Sequence, residues 1–103
     1  MKIYISGAVT NTTDYAERFD RAEKELIEKG FTVINPVKVN AELPDDIEYE
    51  DYMRMCYCML DMCDCIYMLD GWEKSNGAVR EFTKSWDDNR PVMFESIGGM
   101  VNP

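Results

Sequence analysis

The apolar positions along the chain alternate between short continuous runs and stripes at helical spacing. The continuous runs predict four β-strands, at residues 2–6, 31–35, 65–69 and 92–95. The stripes predict three amphipathic helices, at residues 14–29, at residues 49–62 and from residue 75 onward. Strands that alternate with helices indicate a parallel sheet with right-handed crossovers. The pattern therefore predicts an α/β fold with helices on both faces of the sheet.

We expect a flavodoxin-like or Rossmann-like parallel sheet of about four strands in the order 2-1-3-4. The helical stripes predict the side chains that face the core, namely Tyr15, Phe19, Ala22, Leu26, Tyr52, Met55, Cys56, Met59, Cys63, Ala78, Phe82 and Trp86. Residues 37–48, which follow Pro36, are interrupted by Pro44 and hold an acidic run, are expected to form a loop over the edge of the sheet with room for one helical turn. Residues 97–103 are expected to be an ordered tail only if a neighbour holds them.

Length and charge limit the possible functions. The 103 residues suffice for one domain, with a core over about residues 1–95 and a short C-terminal tail. A formal net charge of −9 disfavours a nucleic-acid duplex or an anionic membrane as partner, but a helix N-terminus could still bind a small phosphate ligand. No apolar run is long enough to span a membrane, and the N-terminal MKIYISG is typical of a strand rather than a signal peptide. We therefore expect a cytoplasmic protein.

The residue types also limit the possible cofactors. The chain has no histidine, which excludes histidine-based catalysis and histidine metal ligands. Its four cysteines, at positions 56, 58, 63 and 65, lack the spacing of a zinc site and straddle a predicted helix end and a buried strand. Thiols in the core are favoured over a metal or disulfide site. We expect neither a metal nor a cofactor.

The stretch from residue 64 to residue 81, DCIYMLDGWEKSNGAVRE, carries the candidate chemistry. It is typical of a buried strand, a short turn and the start of a helix. In open α/β sheets, ligands bind in the crevice at the carboxyl ends of such strands. The strand ends and the turn bring small and polar residues to this rim, namely Ser6, Gly7, Asn35, Asp70, Gly71 and Trp72.

Ser75, Gly77 and Glu81 form an S-x-G-x-x-x-E spacing at the start of the last predicted helix. Glu81 could be kept ionised by the helix dipole and attack a sugar carbon, or it could be a solvated glutamate that pairs with Arg80 or Lys84. Ser75 could present its hydroxyl and nearby N–H groups to an anion, or it could simply cap the helix. The residues alone leave these alternatives open.

Two aromatic residues near the rim are further candidates. Tyr4 lies on the first strand, where an aromatic side chain usually belongs to the core, although its hydroxyl must find a partner. Trp72 follows a glycine in the turn and could either stack on a base or cover the edge of the core.

Four motifs stand out along the chain: IYISG at the start, INP after the second strand, YMR in the helix at 49–62, and CD-x-IYML-x-GW-x-x-S-x-GA-x-x-E over residues 63–81. Together they resemble the nucleoside 2-deoxyribosyltransferase-like family, in particular its short bacterial and phage branch. The resemblance covers residue 1 to about residue 95. It implies an enzyme without a cofactor that acts on the N-glycosidic bond of a nucleoside or nucleotide. It also implies a homodimer or larger homo-oligomer, in which a neighbouring subunit completes the pocket.

The resemblance implies roles for individual residues. Glu81 stands at the position of the nucleophile that attacks C1′ of the nucleoside, and Tyr4 would orient its carboxylate. Ser75 stands where nucleotide hydrolases of the family have a serine that contacts the 5′-phosphate, and Gly77 leaves the backbone open to the ligand. Further substrate contacts are expected from Ser6, Gly7, Asp70, Gly71, Trp72 and Cys56.

Two positions depart from the pattern of the family. Cys56 stands eight residues before Asp64, where relatives carry an aspartate that contacts the base and can supply a proton. A thiol is a much weaker acid than a carboxyl group. Ala8 and Thr10 replace a serine and an arginine of the nucleotide hydrolases, which removes phosphate contacts. Candidates for the missing acid are Asp51, Asp61 and Asp70. The alternative functions are an inactive module that binds a nucleotide or an ADP-ribose-like molecule, and a purely structural protein.

Overall fold

The computed structural model of the protein describes residues 1–9 and 12–103. The strands are β1 (Lys2–Ser6), β2 (Thr32–Ile34), β3 (Cys65–Met68), β4 (Val92–Phe94) and β5 (Met100–Val101). The α-helices are α1 (Tyr15–Glu28), α2 (Pro36–Val39), α3 (Tyr49–Asp61) and α4 (Asn76–Asp87). Two 3-10 turns cover Asn40–Glu42 and Trp72–Lys74. All predicted strands and helices are present, with bounds close to the predicted ones.

The strands form one sheet in the order β2-β1-β3-β4-β5, which confirms the predicted order of the first four. β1 pairs in parallel with β2 and β3, and β3 pairs in parallel with β4. The sequence pattern did not predict β5, which pairs antiparallel with β4. The chain turns back after Phe94, whose carbonyl accepts the N–H groups of Ile97 and Gly98 at 3.1 and 2.9 Å. The tail is therefore held by a neighbouring element, as expected, and this neighbour is β4 of the same chain.

The two faces of the sheet carry two separate hydrophobic cores. On one face, Ile3 and Ile5 of β1 pack with α1 residues such as Phe19. On the other face, Tyr4 packs with residues of β3, α3 and α4. Because successive side chains of a strand point in opposite directions, Tyr4 and Ser6 share the face that α3 and α4 cover. The polar end of β1 therefore lies on the same side of the sheet as α4.

The buried side of α4 differs from the predicted one. Its buried residues are Ala78, Glu81 and Ser85, whereas Trp86 is 39% exposed. Both polar residues of this stripe find partners inside the fold: the Glu81 carboxylate binds side chains of β1, and the Ser85 hydroxyl accepts a hydrogen bond from Arg90 at 3.4 Å. The helix is therefore rotated relative to the stripe that its apolar residues predict.

Residues 36–48 hold more regular structure than predicted. Asn35 caps α2, since its side chain accepts the Val37 N–H at 3.1 Å and donates to Glu23 at 3.1 Å. Pro36 occupies the first position of the helix, where its missing N–H costs nothing. The 3-10 turn Asn40–Glu42 continues this segment across the edge of the sheet toward α3.

The thiols and methionines of α3 divide between core and surface. Cys56, Cys63 and Cys65 are buried free thiols, which confirms the core interpretation for these three. Cys58 is exposed and Met55 is 38% exposed, so both predictions of burial are wrong; α3 turns these two positions toward solvent. Within residues 1–9 and 12–103, no group of acidic or cysteine side chains could hold a metal ion. No helix in this part of the chain is both long and apolar enough to cross a membrane.

Candidate active site

A cavity of about 790 Å³ opens at the carboxyl end of the sheet. Residues at the end of β1 form its floor. One wall comes from residues 36–47 and α3, and the other comes from the start of α4. The lining includes Tyr4, Ser6, Gly7, Asn40, Asp45, Tyr52, Cys56, Lys74, Ser75, Gly77 and Glu81. We call this space the Glu81 cavity, and it lies at the rim where open α/β sheets bind ligands.

Glu81 lies in the second turn of α4 and points toward β1. Its exposed fraction is 6%, although glutamate is almost never buried unless it is paired. The Tyr4 hydroxyl donates to Oε2 at 2.5 Å, and the Ser6 hydroxyl donates to Oε1 at 2.7 Å. Both donors reach it from the same face of β1 because they are two residues apart on a strand. The carboxylate is therefore held in one orientation, with a hydrogen bond to each oxygen.

The alternative in which Glu81 is a surface residue paired with a neighbouring cation does not hold. Arg80 instead makes two hydrogen bonds of 2.9 Å with Glu50 on α3. Lys84 pairs with Asp61 and Asp88, each at 3.0 Å. These cations lie on the exposed side of α4, while Glu81 lies on the buried side.

Burial and hydrogen bonding act in opposite directions on the Glu81 carboxyl group. Burial raises its pKa above the ordinary value of 4.5, and the contacts with Tyr4, Ser6 and Cys56 lower it by a smaller amount. Burial and the Glu81 charge raise the pKa of Tyr4 well above 10, so the Tyr4 hydroxyl stays protonated and remains a donor. A buried carboxyl group with a raised pKa and fixed donors suits a nucleophile or a general base.

Gly7 lets the chain after β1 pass close to β3. A Cβ atom at this position would lie 2.9 Å from both Cβ and Cδ1 of Leu69, so a larger residue requires the backbone or Leu69 to move. The Leu69 N–H donates to the Ser6 carbonyl at 2.8 Å and holds the same junction together. Ser6 and Gly7 both line the Glu81 cavity. Two positions of the next loop depart from the pattern of the family. Ala8 is 9% exposed, and Thr10 lies outside the described residues.

The wall at the start of α4 offers groups that suit an anion. Ser75 is the N-cap of the helix, and its Oγ accepts the N–H three residues later at 3.2 Å. Asn76 donates from Nδ2 to the Tyr49 hydroxyl at 3.2 Å. A Cβ atom at Gly77 would lie 3.4 Å from the same hydroxyl, so glycine keeps this corner open. Lys74, which the sequence did not single out, adds an ammonium group to this wall.

The opposite wall carries three polar side chains, Asn40, Tyr52 and Cys56, which we call the Asn40 cluster. Asn40 donates from Nδ2 to the Cys56 Sγ at 3.7 Å, and Cys56 is 2% exposed. Burial and the Glu81 charge raise the pKa of Cys56 to about 11, and burial raises the pKa of Tyr52 to about 12. The Asn40 Oδ1 atom is buried and has no hydrogen-bond partner among the described residues. All three groups are therefore neutral near pH 7, and one acceptor is unused.

Sequence reasoning placed Cys56 in the site but missed Asn40 and assigned Tyr52 only to the core. Asn40 belongs to the segment that was expected to be a loop, where no periodicity indicates which side chains point inward. Asn40 lies four residues after Pro36, the first residue of α2, and this spacing could have indicated that its side chain points back toward α3. The spacing is informative only if α2 is predicted, and a helix of one turn has too few apolar residues to be predicted from the sequence.

Asp70, Gly71 and Trp72 do not line the Glu81 cavity, and their predicted place in the site is corrected. Gly71 has a φ of 86°, a left-handed conformation that glycine adopts without strain. The Trp72 ring packs on Phe82 and Phe94, with centroid distances of 4.9 and 6.1 Å. Trp72 therefore covers the edge of the core, which was the alternative interpretation of this residue.

The carboxylates considered as replacements for the missing acid lie elsewhere. Asp51 and Asp61 pair with basic side chains on the surface at 3.3 and 3.0 Å. Asp70 belongs to the turn described above. Among the residues that the structure describes, the carboxylates lining the cavity are Glu81 and Asp45, and Asp45 is solvent-exposed. On the opposite wall, the Cys56 thiol contacts the Glu81 carboxyl group.

Comparison with known proteins identifies the family and the fold of this α/β chain. Residues 1–94 match the family model described as "Domain of unknown function (DUF4406)", and because the match covers most of the chain, the chain belongs to this family. Its structure is similar to that of a 2-deoxyribosyltransferase from the psychrotolerant bacterium Bacillus psychrosaccharolyticus. The TM-score is 0.74 at 19% sequence identity, over 91% of this chain and 71% of that chain. The chain thus has a nucleoside deoxyribosyltransferase-like fold. The comparison with curated protein sequences finds no match.

Proposed function

We propose that the protein cleaves the N-glycosidic bond of a nucleoside or nucleotide, with Glu81 as the nucleophile that attacks C1′ of the sugar. The observation that carries this proposal is the buried Glu81 carboxylate, bound by the Tyr4 and Ser6 hydroxyls at 2.5 and 2.7 Å. Enzymes that retain configuration at a sugar carbon use a carboxylate in this role. The similar fold of a 2-deoxyribosyltransferase supports the same class of reaction.

The reaction proceeds in two steps. A Glu81 oxygen first bonds to C1′ while the bond from C1′ to the base nitrogen breaks, which leaves the sugar attached to the enzyme. Water or a second base then bonds to C1′ and releases the Glu81 carboxylate. Tyr4 and Ser6 act as positioning residues because each binds one carboxylate oxygen, and a fixed nucleophile needs less reorganisation to reach the transition state.

The wall at the start of α4 would hold a phosphate on the sugar. Gly77 brings a backbone N–H group and free space to this wall, Ser75 brings its hydroxyl, and Lys74 brings a positive charge. The positive end of the helix dipole points in the same direction. These groups support a 5′-phosphorylated substrate, and they occur in a chain whose net charge of −9 would otherwise repel phosphate.

A homo-oligomer remains part of the proposal. Val39 and Met62 are 56% and 55% exposed and border a groove of about 310 Å³ beside β2. Such exposed apolar side chains support an interface between copies of the chain. Sedimentation velocity over a range of protein concentrations tests this, and a monomer at all concentrations would contradict it.

Base release from a panel of ribo- and deoxyribonucleosides and their 5′-monophosphates tests the proposed reaction. The free base is measured by chromatography for the wild type, for Glu81→Gln and for the control Glu73→Gln, which changes an exposed glutamate near the same helix. We expect Glu81→Gln to lose about 10³-fold or more in rate, and Glu73→Gln to match the wild type. No base release from any compound, or equal release by Glu81→Gln, would exclude the proposal.

A second candidate function is a binding module without turnover. Cys56, with a pKa raised to about 11, stands at the place of an acid and favours this alternative. A nucleotide that raises the melting temperature, with no base released by the wild type, would support the binding module. A gain of base release by Cys56→Asp would then indicate an enzyme that has lost its acid.

A further inference from the structure

The Asn40 cluster faces the side of Glu81 where a departing base would lie. β1 runs between β2 and β3, so the segment with Asn40, which follows β2, and the start of α4, which follows β3, leave the sheet on either side of β1. A sugar phosphate at the start of α4, with C1′ at Glu81, directs its base toward the Asn40 cluster. The groups that meet the leaving base are then a thiol, a phenol and an amide, all of them neutral.

This wall suits a leaving group that needs no proton. A purine or pyrimidine leaves as an anion unless an acid protonates it, and such an acid contributes about 10²- to 10⁴-fold in rate. Cys56 supplies this proton poorly, since its pKa is raised to about 11. A pyridinium ring bound to C1′ already carries a positive charge, and it leaves as a neutral molecule when the bond breaks.

The charges of the site favour such a cationic ring. The chain has a net charge of −9, and the Glu81 carboxylate lies in the floor of the cavity next to the expected position of C1′. A positive ring is therefore attracted by the protein before the reaction and loses its charge as it leaves. The wall with Lys74 and the start of α4 accepts the phosphate of the same molecule.

Asn40 provides the specific contact to the leaving ring. Its amide has two polar groups, and the Cys56 thiol pairs with one of them; the other, Oδ1, is buried without a partner in residues 1–9 and 12–103. A buried unpaired acceptor is unfavourable, and a ligand amide that donates to it removes this cost. Two amides can also pair reciprocally, each donating an N–H to the oxygen of the other.

We propose that the substrate is a nucleotide with a pyridinium carboxamide as its base, such as nicotinamide mononucleotide, and that Asn40 binds the carboxamide of the leaving ring. The inference rests on the proposed role of Glu81. A Glu81 oxygen donates an electron pair to C1′, the bond between C1′ and the ring nitrogen breaks, and its electron pair neutralises the ring. Water then bonds to C1′, gives one proton to the solvent and releases the Glu81 carboxylate and ribose 5-phosphate.

Two substrates with the same sugar phosphate test the inference. Nicotinamide mononucleotide and inosine 5′-monophosphate both carry ribose 5-phosphate, but hypoxanthine needs a proton to leave easily, whereas nicotinamide does not. We expect the wild type to release nicotinamide at least 10²-fold faster than hypoxanthine, by chromatography of the free bases at pH 7. Glu81→Gln should abolish both reactions.

The outcomes separate this inference from the proposed function. Release of hypoxanthine, or of other purine and pyrimidine bases, at a rate equal to or above that of nicotinamide overturns the inference and leaves the role of Glu81 intact. No release of any base from either substrate or from the nucleoside panel overturns both. Nicotinamide release that Glu81→Gln retains also overturns both.

Variants of Cys56 test whether the thiol sets the preference. In Cys56→Asp a second carboxyl group lies beside Glu81, and the two like charges raise the pKa of one of them, which makes it an acid. We expect this variant to release hypoxanthine about 10²-fold faster than the wild type, while Cys58→Asp, which places the same carboxyl group at an exposed position of α3, matches the wild type. An unchanged ratio of nicotinamide to hypoxanthine release in a folded Cys56→Asp variant contradicts the argument from the leaving group.

The Asn40→Leu variant tests the contact to the carboxamide. Leucine has a similar size but no hydrogen-bonding group, so we expect KM for nicotinamide mononucleotide to rise about tenfold while kcat changes by less than about threefold. A purely structural role would change the melting temperature and leave KM as it is. An unchanged KM in a folded variant therefore overturns the assignment of Asn40.

Discussion

The two sides of the Glu81 cavity differ in how completely their polar groups are paired. On the side of β1 and α4, each carboxylate oxygen of Glu81 accepts a hydroxyl hydrogen bond, and the Ser75 hydroxyl caps its helix. On the side of the Asn40 cluster, the sulfur of Cys56 provides a weak contact of 3.7 Å, and the Asn40 Oδ1 atom has no partner in the part of the chain that the structure describes. A buried network that is fully paired is rigid, whereas a partly paired one costs free energy.

This difference indicates that the two sides of the cavity have different roles. The paired side holds a reactive group in a fixed orientation before any ligand arrives, as catalysis requires. The unpaired side gains hydrogen bonds only when a ligand supplies them, which is how a binding site discriminates between ligands.

The two tyrosines of the cavity should differ in their importance for the rate. Tyr4→Phe keeps the ring in the core but removes the donor to Glu81 Oε2, and a hydrogen bond to a charged group contributes about 1.5–3 kcal/mol. We expect kcat for base release to fall about 10- to 100-fold. Tyr52→Phe, on the other wall, should change kcat by less than about threefold. Equal losses in the two variants, at equal melting temperatures, would contradict the comparison.

The pH dependence should report the environment of Glu81. The nucleophile must be ionised, so kcat/KM should fall about tenfold for each pH unit below the Glu81 pKa, and burial places this midpoint above 4.5. The midpoint should move to higher pH in Tyr4→Phe, because the Tyr4 hydrogen bond lowers the pKa of Glu81. A midpoint at or below 4.5, or one that Tyr4→Phe leaves in place, would argue against a buried nucleophile.

The sequence was sufficient to predict the scaffold of the paired side. The alternation of strands and helices indicated the order of β2, β1, β3 and β4, and the resemblance pointed to Glu81 and Tyr4. The direction of Glu81 did not follow from periodicity, since Ala78, Phe82 and Trp86 predicted a different buried stripe for α4. Periodicity counts apolar residues and assigns a carboxylate to solvent; here hydroxyls on β1, more than 70 residues away, overrode it.

The unpaired side was much less visible in the sequence. Asn40 lies in a segment that was expected to be a loop, and its partner Cys56 is 16 residues away, so only the folded chain brings them together. The local sequence also predicted Trp72 at the rim, because the turn follows the end of a strand. In the structure, Gly71 has a left-handed conformation and the Trp72 ring packs on Phe82 and Phe94 at the edge of the core.

Burial of the charged Glu81 carboxylate should lower the free energy of unfolding by a measurable amount. Because the folded pKa of Glu81 is raised, its favourable contribution to stability is present at low pH and is lost as pH rises through that pKa. Glu81→Gln should therefore be more stable than the wild type by on the order of 1 kcal/mol at pH 8, and the difference should shrink toward pH 4. Urea unfolding at both pH values tests this. A variant that is less stable at pH 8 would show that the hydrogen bonds outweigh burial.

Replacing Asn35 or Asn40 with leucine compares a fully paired buried amide with a partly paired one, and these variants should show the smallest effects. The two residues are 4% and 9% exposed, but Asn35 caps α2 and binds Glu23, whereas Asn40 has one unused acceptor. Asn35→Leu should lower the free energy of unfolding by about 1 kcal/mol through the lost cap. Asn40→Leu should change it by less than about 0.5 kcal/mol in either direction, because the weak contact to sulfur that it loses is offset by removal of the unpaired oxygen. Urea unfolding of both variants measures the difference, and an equal or larger loss at Asn40 would mean that its amide is a structural group rather than one that awaits a ligand.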